Sequence, residues 1–343
     1  MFQPRLERRD QQQSAFSKLR EQWERSVMNK ITTQRLTPDS AGIAQAIAHW
    51  RAGALTAFPT ETVYGLGADA RNDDAVAQIY AAKGRPSFNP LIVHVADLDQ
   101  AKAFCAFDAQ AVQLAARFWP GPLTLVLPLK PASGISKLVT AGLPSLAVRV
   151  PAHPLARTLL AAFGGPIAAP SANPSGRVSP TTADHVMAGL DGKIAAVMDG
   201  GPCDVGVEST IVRCIGQPAL LRAGGVSSES IAQVIGQELQ CPTDPAVPQA
   251  PGQLASHYAP KGRVRLNVTE PMPDEYLLGF GPVEAAVHLS PSGDVVEAAA
   301  RLFAALHELD ALDATKIAVS PIPDAGVGRA INDRLRRAAA PRK

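Results

Sequence analysis

Short runs of β-branched and other apolar residues alternate along this chain with stretches whose apolar residues recur at helical spacing. Apolar runs lie at Ala54–Phe58 and Leu91–Val95, and a helical stretch lies between them at Asp73–Ala82. Further on, Thr210–Cys214 and Ala219–Arg222 are joined by only four residues, too few for the crossover that parallel strands need. The pattern therefore predicts an α/β fold with a mixed sheet.

The composition changes between Gln240 and Gly262, where five prolines and few large aliphatic residues are typical of a semi-rigid, extended linker. A chain of 343 residues is also longer than a single core usually supports, so two domains are expected. We therefore predict an N-terminal extension at 1–30, a large domain at 31–239, the linker at 240–262 and a small Rossmann-like α/β domain at 263–343.

The charge and the cysteine content restrict the partners and the compartment. With 33 basic and 31 acidic residues the formal charge is only +2, so no overall field attracts nucleic acid or an anionic membrane. The four cysteines form no C-x-x-C pair, which argues against a zinc site or a disulfide framework. No apolar run reaches the roughly 18 residues that span a bilayer, and no secretory signal is visible. We expect a cytoplasmic protein without a membrane partner.

A glycine motif raises the question of a dinucleotide cofactor. Gly65–Ala70 matches G-x-G-x-x-A, and Asp97 follows an apolar run as a ribose-binding acid would. The acid lies about 30 residues beyond the glycines instead of about 20, and a loop with Pro and Arg interrupts the unit. We therefore interpret the glycines as a tight strand-to-helix turn. A nicotinamide-dependent oxidoreductase remains a minor alternative.

Two cations stand two residues apart, at Lys83 and Arg85, in a loop stiffened by Pro86 and Pro90. They follow a predicted helix, so a basic helix C-terminus is one explanation of their charge. A rigid Lys/Arg pair beside the Asn89 amide also suits a triphosphate, whose charge must be neutralised and whose oxygens must be held. We favour phosphate binding.

Two further polar segments follow apolar runs. Thr60–Thr62 places two hydroxyls and a carboxylate where α/β folds collect ligand-binding groups, although a turn that hydrogen-bonds its own backbone explains it equally well. The segment Ala168–Gly176 combines hydroxyls, an amide and two prolines, which suits a turn whose polar groups converge on an anion. Beyond it, Ser179 or Thr181 is expected to cap the next helix.

Single polar residues interrupt two apolar runs. A lone histidine such as His94 is usually a satisfied structural residue. Arg149 needs a carboxylate or phosphate partner if its head is buried, and a ligand is a candidate for that partner. The chain has no G-x-x-x-x-G-K-S/T, H-E-x-x-H or G-x-S-x-G motif, and no cysteine stands in an obvious nucleophilic setting. A covalent mechanism is therefore not expected.

Eight motifs follow one another along the chain, and together they are far more specific than any one of them. They are PTETVYGLG at 59–67, KGRP at 83–86 with NPL at 89–91 and His94, WPGPLT at 119–124, LAVRVP at 146–151, APSAN at 169–173, ESTI at 208–211, LRAG at 221–224 and SHYAP at 256–260. In this order they resemble the YrdC-like family of threonylcarbamoyl-AMP synthases, in its longer form with a C-terminal companion domain. The resemblance runs from about Thr37 to Arg337.

The resemblance implies a twisted mixed β-sheet with helices around a concave groove, followed by the small C-terminal α/β domain. It also implies that ATP, L-threonine and bicarbonate are joined into L-threonylcarbamoyl-adenylate with release of pyrophosphate, a nucleotidyl transfer with Mg²⁺ bridging the phosphates. The product serves N6-threonylcarbamoyladenosine formation beside the tRNA anticodon, and downstream transfer proteins are the implied partners.

The same resemblance assigns site residues. The nucleotide is contacted by Lys83, Arg85, Asn89, Ser145, Ser171, Asn173, Ser179 and Arg222, and by Tyr258 on a linker that closes over it as a lid. L-Threonine is contacted by Thr62, His94, Arg149, Ala169 and Ser209. Lys83 and Arg85 are the expected catalytic pair, because attack on an α-phosphate requires charge neutralisation and alignment more than a strong base. No protein ligand to a metal is implied, because Mg²⁺ is bound through the ATP phosphates.

An RNA-binding module of the same fold without synthase activity is the main alternative. Its support is a set of basic residues near the C-terminus, namely Arg329, Arg334, Arg336, Arg337, Arg342 and Lys343. Cations also suit a helix C-terminus and a solvated tail. We therefore expect at most a weak RNA contact.

Overall fold

The structure, a computed structural model, describes residues 32–241, 250 and 257–341. The predicted extension at 1–30 and most of the predicted linker lie outside the described residues. A ten-stranded sheet contains β1 (Gln34–Leu36), β2 (Thr56–Phe58), β3 (Gly65–Asp69), β4 (Ile92–His94), β5 (Leu123–Pro128), β6 (Ser145–Arg149), β7 (Ile167–Ala168), β8 (Ala196–Met198), β9 (Thr210–Arg213) and β10 (Ala219–Arg222). A four-stranded sheet contains β11 (Arg263–Arg265), β12 (Tyr276–Phe280), β13 (Val287–Ser290) and β14 (Lys316–Val319).

The described helices begin and end where local sequence favours it. They are α1 (Ser40–Arg51), α2 (Asp73–Lys83), α3 (Leu98–Phe104), α4 (Ala109–Phe118), α5 (Lys137–Thr140), α6 (Pro154–Phe163), α7 (Ala183–Leu190), α8 (Ser228–Ile235), α9 (Val295–Ala311) and α10 (Gly328–Ala339). The Asn72 side chain accepts a backbone N–H in the first turn of α2, and Gly84 ends that helix at a φ of 59°. None of these helices is long and apolar enough to cross a membrane.

The large sheet has the strand order β1-β8-β2-β3-β7-β4-β6-β5-β9-β10. β4 and β6 run parallel, with His94 opposite Arg149, whereas β9 and β10 run antiparallel. The predicted mixed sheet is therefore confirmed. Because parallel strands end at the same edge, the carboxyl ends of β4 and β6 place polar side chains together there.

The small sheet has the order β11-β14-β12-β13, and all its pairs are parallel. Leu302 and Phe303 of α9, Ile317 of β14 and Ile331 of α10 are fully buried in one apolar core. Burial of each such side chain contributes about 1.5–3 kcal/mol. The predicted small α/β domain is thus confirmed, while its boundary within 240–262 stays a prediction.

The interpretation of the glycine motif as a strand-to-helix turn is wrong. Its glycines belong to β3, which pairs antiparallel with both β2 and β7. A Cβ at Gly67 would lie 2.9 Å from ring atoms of Trp50, whose indole N–H donates to the Gly67 carbonyl. Close packing of a tryptophan, and not a cofactor, therefore explains this glycine.

The prediction that Ser179 or Thr181 caps the helix after the Ala168–Gly176 segment is also wrong, because the cap is the next residue along the chain. Thr182, and neither Ser179 nor Thr181, accepts the backbone N–H in the first turn of α7. The Ser179 hydroxyl instead donates to a carboxylate, at 2.7 Å from Glu208 Oε1. Ser179 is therefore free of the helix and belongs to the polar interior.

Apolar surface joins the two sheets into one molecule. Val63, Val178 and Val207 of the large domain are buried in the same apolar core as helix α9. Gly206 lies directly on that helix, because a Cβ there would be 2.3 Å from the Ala300 carbonyl oxygen. Any larger residue at Gly206 would separate the loop that precedes β9 from α9.

A pair of histidines forms part of the same interface. The rings of His185 on α7 and His307 on α9 stack with centroids 3.8 Å apart. Burial, and then the adjacent His307 ring, lowers the pKa of His185 to about 4, while burial also lowers the pKa of His307. Asp184 and Asp310 face the pair and favour protonation, whereas Arg177 opposes it. The interface therefore favours the neutral form of both imidazole rings.

Acid should weaken this interface. Both pKa values lie below the ordinary 6.5, so the unfolded chain takes up protons first and stability is lost as the pH falls from about 6.5 toward 4. We expect His307→Gln to reduce the acid-induced fall in melting temperature by about 3 °C. Thermal melts at pH 7.5 and 5 measure this, with His288→Gln as the matched control. An equal pH dependence in both variants would contradict the assignment.

Candidate active site

Strand ends and loops of the large sheet enclose one cavity. β4 and β6 end with His94 and Arg149, β10 ends with Arg222, and the loop from β2 to β3 supplies Thr60 and Thr62. The cavity is lined by Thr60, Thr62, Val63, Gly65, Arg85, Ile92, His94, Arg149, Ala169, Pro170, Ser171, Glu208, Ser209, Arg222, His257 and Tyr258.

The structure brings most of the predicted site residues together. Every residue predicted to contact threonine lines the cavity, and so do four predicted nucleotide contacts, Arg85, Ser171, Arg222 and Tyr258. The predicted residues outside the lining are Lys83, Asn89, Ser145, Asn173 and Ser179. Ser145 begins β6 opposite Pro128, at the other end of the strand from Arg149.

Arg149 is held by three residues from two segments of the chain. Its Nε donates to the Gly121 carbonyl at 3.1 Å, and its Nη1 donates to the Thr62 hydroxyl at 2.9 Å. Its Nη2 lies 2.6 Å from Glu61 Oε1, and both side chains are buried. The carboxylate partner that a buried Arg149 requires is therefore Glu61, which leaves a ligand as an additional partner.

Arg85 and Arg222 are buried without such a partner. Arg85 donates to the carbonyls of Asn89 and Pro90, and Arg222 donates to the backbone oxygen and the hydroxyl of Ser209. Burial lowers the pKa of Arg85 to about 10 and lowers that of Arg222, so both remain charged at neutral pH. Neither forms an ion pair with a carboxylate in the described part of the chain. This excess of positive charge suits an anion.

Lys83 connects the basic loop to the polar turn after β7. Its ammonium nitrogen lies 2.5 Å from the carbonyl oxygens of both Ser171 and Asn173. Burial, and then the Arg85 cation, lowers the pKa of Lys83 well below its ordinary value. A nearby anion would reverse that shift, because it stabilises the charged form.

Several buried polar atoms have no hydrogen-bond partner among the described residues. They include both amide atoms of Asn89, Oδ1 of Asn173 and Nδ1 of His94. Burial, and then the charge of Arg149, lowers the pKa of His94 to about 3, so its ring is neutral. His94 is therefore not a satisfied structural histidine. Of these residues His94 lines the cavity, where an unpaired buried group indicates a hydrogen bond to a ligand.

A buried ion pair extends from the cavity into the small domain. Glu208 lines the cavity and accepts from Ser179 through Oε1 and from Arg334 of α10 through Oε2, the latter at 2.8 Å. Although burial acts in the opposite direction, Arg334 and Arg222 hold the pKa of Glu208 below its ordinary value. Arg334 also contacts Asp333 at 2.7 Å and has no exposed side-chain surface. The last helix thus fixes an acid of the cavity wall.

Tyr258 covers the cavity from the side of the small domain. Its φ of 61° lies in the left-handed region, which non-glycine residues rarely adopt. The ring lies 5.5 Å from the Phe303 ring and 5.2 Å from the Arg334 guanidinium carbon. The next residue, Ala259, donates to the Gly176 carbonyl. Both domains therefore hold Tyr258 in this unusual conformation.

The site contains an acid and an arginine that were not predicted as site residues, Glu208 and Arg334. The carboxylate of Glu61 was noted within the Thr60–Thr62 segment, but without a role of its own. Glu61 and Glu208 each stand beside a predicted threonine contact, Thr62 and Ser209, and that position within a motif was the available signal. Arg334 was grouped with the basic C-terminal residues, and that interpretation is wrong because Arg334 is fully buried. Arg329 and Arg337 contact Glu229 and Asp333. Arg342 and Lys343 lie outside the described residues.

Family models match both domains. The Sua5/YciO/YrdC model, described as "Telomere recombination", matches residues 48–224. The model "Threonylcarbamoyl-AMP synthase, C-terminal domain" matches residues 226–340. The chain therefore belongs to the Sua5/YciO/YrdC family, in the form that carries this C-terminal domain, and the resemblance based on the ordered motifs is confirmed.

Individual relatives agree over nearly the whole chain. The threonylcarbamoyl-AMP synthase of Bacillus subtilis is 44% identical over 334 residues, covering 90% of this chain and 96% of that protein. The protein of the same name from Pyrococcus abyssi is 42% identical over 316 residues, covering 84% and 91%. The crystal structure of P. abyssi Sua5 complexed with L-threonine matches with a TM-score of 0.82 and 38% identity, over 90% of this chain and 97% of that one.

Removing the cation of the buried pair should destabilise the folded protein. Arg334→Gln leaves Glu208 and Asp333 without their cation, so we expect the free energy of unfolding to fall by about 3 kcal/mol or more. Urea unfolding measures this change. Arg336→Gln, on the exposed side of the same helix, is the matched control. Equal stability of the two variants would show that the pair does not hold the domains together.

Proposed function

We propose that this chain is a threonylcarbamoyl-AMP synthase of the nucleotidyltransferase class, which joins ATP, L-threonine and bicarbonate and releases pyrophosphate. The observation that carries the proposal is the pair of buried arginines, Arg85 and Arg222, that face one cavity and form no ion pair with a carboxylate at salt-bridge distance among the described residues. Such a site is stable when a polyanion neutralises it. The names of the relatives from B. subtilis and P. abyssi agree with this activity.

We assign the triphosphate to the side of the cavity near the basic loop. Arg85 and Arg222 would donate to phosphate oxygens through their planar guanidinium groups. Lys83 would add a point charge from behind the Ser171 turn, and the unpaired Asn89 amide would supply further hydrogen bonds. Together they would neutralise the charge that develops as the α-phosphate is attacked and pyrophosphate leaves. Asn173, Ser145, Ser179 and Tyr258 stay predicted nucleotide contacts.

We assign the amino acid to the side of the cavity formed by the ends of β4 and β6. Arg149 would bind the threonine carboxylate, because its Nη2 has no aligned hydrogen bond to a described residue. The neutral His94 ring offers Nδ1 as a hydrogen-bond acceptor, and the hydroxyls of Thr62 and Ser209 offer further polar contacts. Ala169 would contact the apolar part of the substrate. These groups orient the amine toward bicarbonate and the nucleotide.

Mg²⁺ is the proposed metal, and it would be bound mainly by the nucleotide. Glu208 is the one carboxylate among the lining residues, and it already accepts from Ser179 and Arg334. A site with so few free carboxylates fits a cation held by phosphate oxygens and water. Bound there, Mg²⁺ would neutralise phosphate charge.

We also propose a cytoplasmic location and transfer of the product to proteins that modify tRNA. Both proposals depend on the proposed reaction, because threonylcarbamoyl-adenylate is a mixed anhydride that must be consumed by a group acceptor. A weak direct RNA contact stays a prediction, with less support than the basic residues suggested, since Arg334 is buried and Arg329 and Arg337 have acidic neighbours.

Pyrophosphate release tests the proposed reaction. With ATP, Mg²⁺ and bicarbonate, we expect release to be strongly stimulated by L-threonine. Arg85→Ala should lower kcat/KM by on the order of 10²-fold, because the developing phosphate charge loses a cation. The melting temperature of Arg85→Ala should change little.

Arg117→Ala is the matched control for this measurement. Arg117 is exposed on α4 and outside the cavity lining, so its removal should leave the rate unchanged. Pyrophosphate release that does not respond to L-threonine would refute the proposed function. A large loss of thermal stability in Arg85→Ala would instead make this arginine a structural residue.

A further inference from the structure

Glu61 is a buried acid that the proposed mechanism has not used. It lies between Thr60 and Thr62, which line the cavity, but its own side chain is not part of the lining. Only 6% of the residue is exposed. Its carbonyl accepts the Val205 N–H at 2.7 Å, so its backbone is tied to the loop before β9. A buried carboxylate in this position needs a cation, and the cation is Arg149.

The contact between Glu61 and Arg149 is ionic. Glu61 Oε1 lies 2.6 Å from Arg149 Nη2, yet the N–H is not aligned for a hydrogen bond. The remaining nitrogens of Arg149 donate to Gly121 and Thr62 in well-formed hydrogen bonds. Nη2 of Arg149, a residue of the cavity lining, therefore has no well-formed hydrogen bond among the described residues, while the Glu61 carboxylate balances the charge of the guanidinium.

The surroundings explain why Arg149 needs this carboxylate. Arg149 lies near enough to Arg222 to oppose its charge, and near enough to His94 to help keep that ring neutral. Three arginines line the cavity, and Glu61 is the acid that contacts Arg149. Without Glu61, repulsion from Arg222 and the loss of the ionic contact would let the guanidinium turn away from its position.

We propose that Glu61 is a positioning residue for the amino-acid half of the site: it orients the Arg149 guanidinium toward the carboxylate of the bound amino acid. The inference rests on the proposed function, because it assumes that Arg149 binds the threonine carboxylate. It assigns Glu61 an effect on the amino acid and not on the nucleotide, whose proposed contacts Arg85 and Arg222 do not touch Glu61.

Steady-state kinetics of Glu61→Gln test this assignment. The substitution keeps the size of the side chain and removes its charge, so we expect the KM for L-threonine to rise about tenfold while the KM for ATP changes less than twofold. Glu61→Asp keeps the charge and should recover part of the threonine affinity. Asp204→Asn is the matched control and should leave both constants unchanged, because Asp204 is exposed and precedes Val205, whose N–H donates to the Glu61 carbonyl.

A double-mutant cycle shows whether Glu61 acts through Arg149. If it does, Glu61→Gln should add little to the loss already caused by Arg149→Met, because the group that it orients is gone. Independent, additive losses would overturn the proposal. So would a Glu61→Gln variant whose only defect is a lower melting temperature, or whose two KM values rise equally.

The outcomes separate this inference from the proposed function. If the unaltered protein shows no threonine-stimulated pyrophosphate release, the proposed function fails and the kinetic test of Glu61 fails with it. If the unaltered protein is active and Glu61→Gln keeps its KM for threonine, only the role of Glu61 is refuted.

Discussion

A buried arginine of the last helix, Arg334, contacts a buried glutamate that lines a cavity in the other domain. Loss of either partner would leave the other charge buried and unpaired, so this pair ties α10 to the large domain. The Ser179 hydroxyl donates a hydrogen bond to the other carboxylate oxygen of Glu208, and the Tyr258 ring lies over the Arg334 guanidinium. The small domain therefore shapes the cavity wall directly.

The positive charge of the cavity follows from the ion pairs that its two neighbouring acids, Glu208 and Glu61, already form. Glu208 is paired with Arg334, and Glu61 is paired with Arg149, so neither is available to Arg85 at ion-pair distance. The remaining cations are positioned by backbone carbonyls and a serine, which hold them without neutralising them. A cavity of this kind pays a desolvation cost that a bound polyanion offsets.

Much of the fold could be predicted from local sequence. The short link between β9 and β10 excluded a parallel crossover, and apolar runs located β2, β4, β9 and β10. The glycine motif was misinterpreted because Gly67 is required by its close contact with the Trp50 ring. That contact joins residues from different elements, so the local sequence pattern does not contain it. Likewise, the run of basic residues near the C-terminus gave no sign that Arg334 is buried. Its partner, Glu208, is distant in sequence, and only the packed domains bring the two together.

The cavity lining was predicted better than the contacts behind it. Ordered motifs identified the groups that face the cavity, because ligand contacts concentrate in the short loops after strands. They did not separate a lining residue such as Arg85 from a supporting one such as Lys83, whose ammonium contacts two carbonyls. That distinction depends on side-chain direction, which chain order does not specify.

In the proposed reaction, one cavity joins an amino acid, through a carbon taken from bicarbonate, to the α-phosphate of a nucleotide. Mass spectrometry of the product formed from ATP, L-threonine and ¹³C-bicarbonate tests this reaction. We expect an adenylate that contains threonine and one labelled carbon. An adenylate of threonine without the label, or the absence of any threonine-containing adenylate, would contradict it.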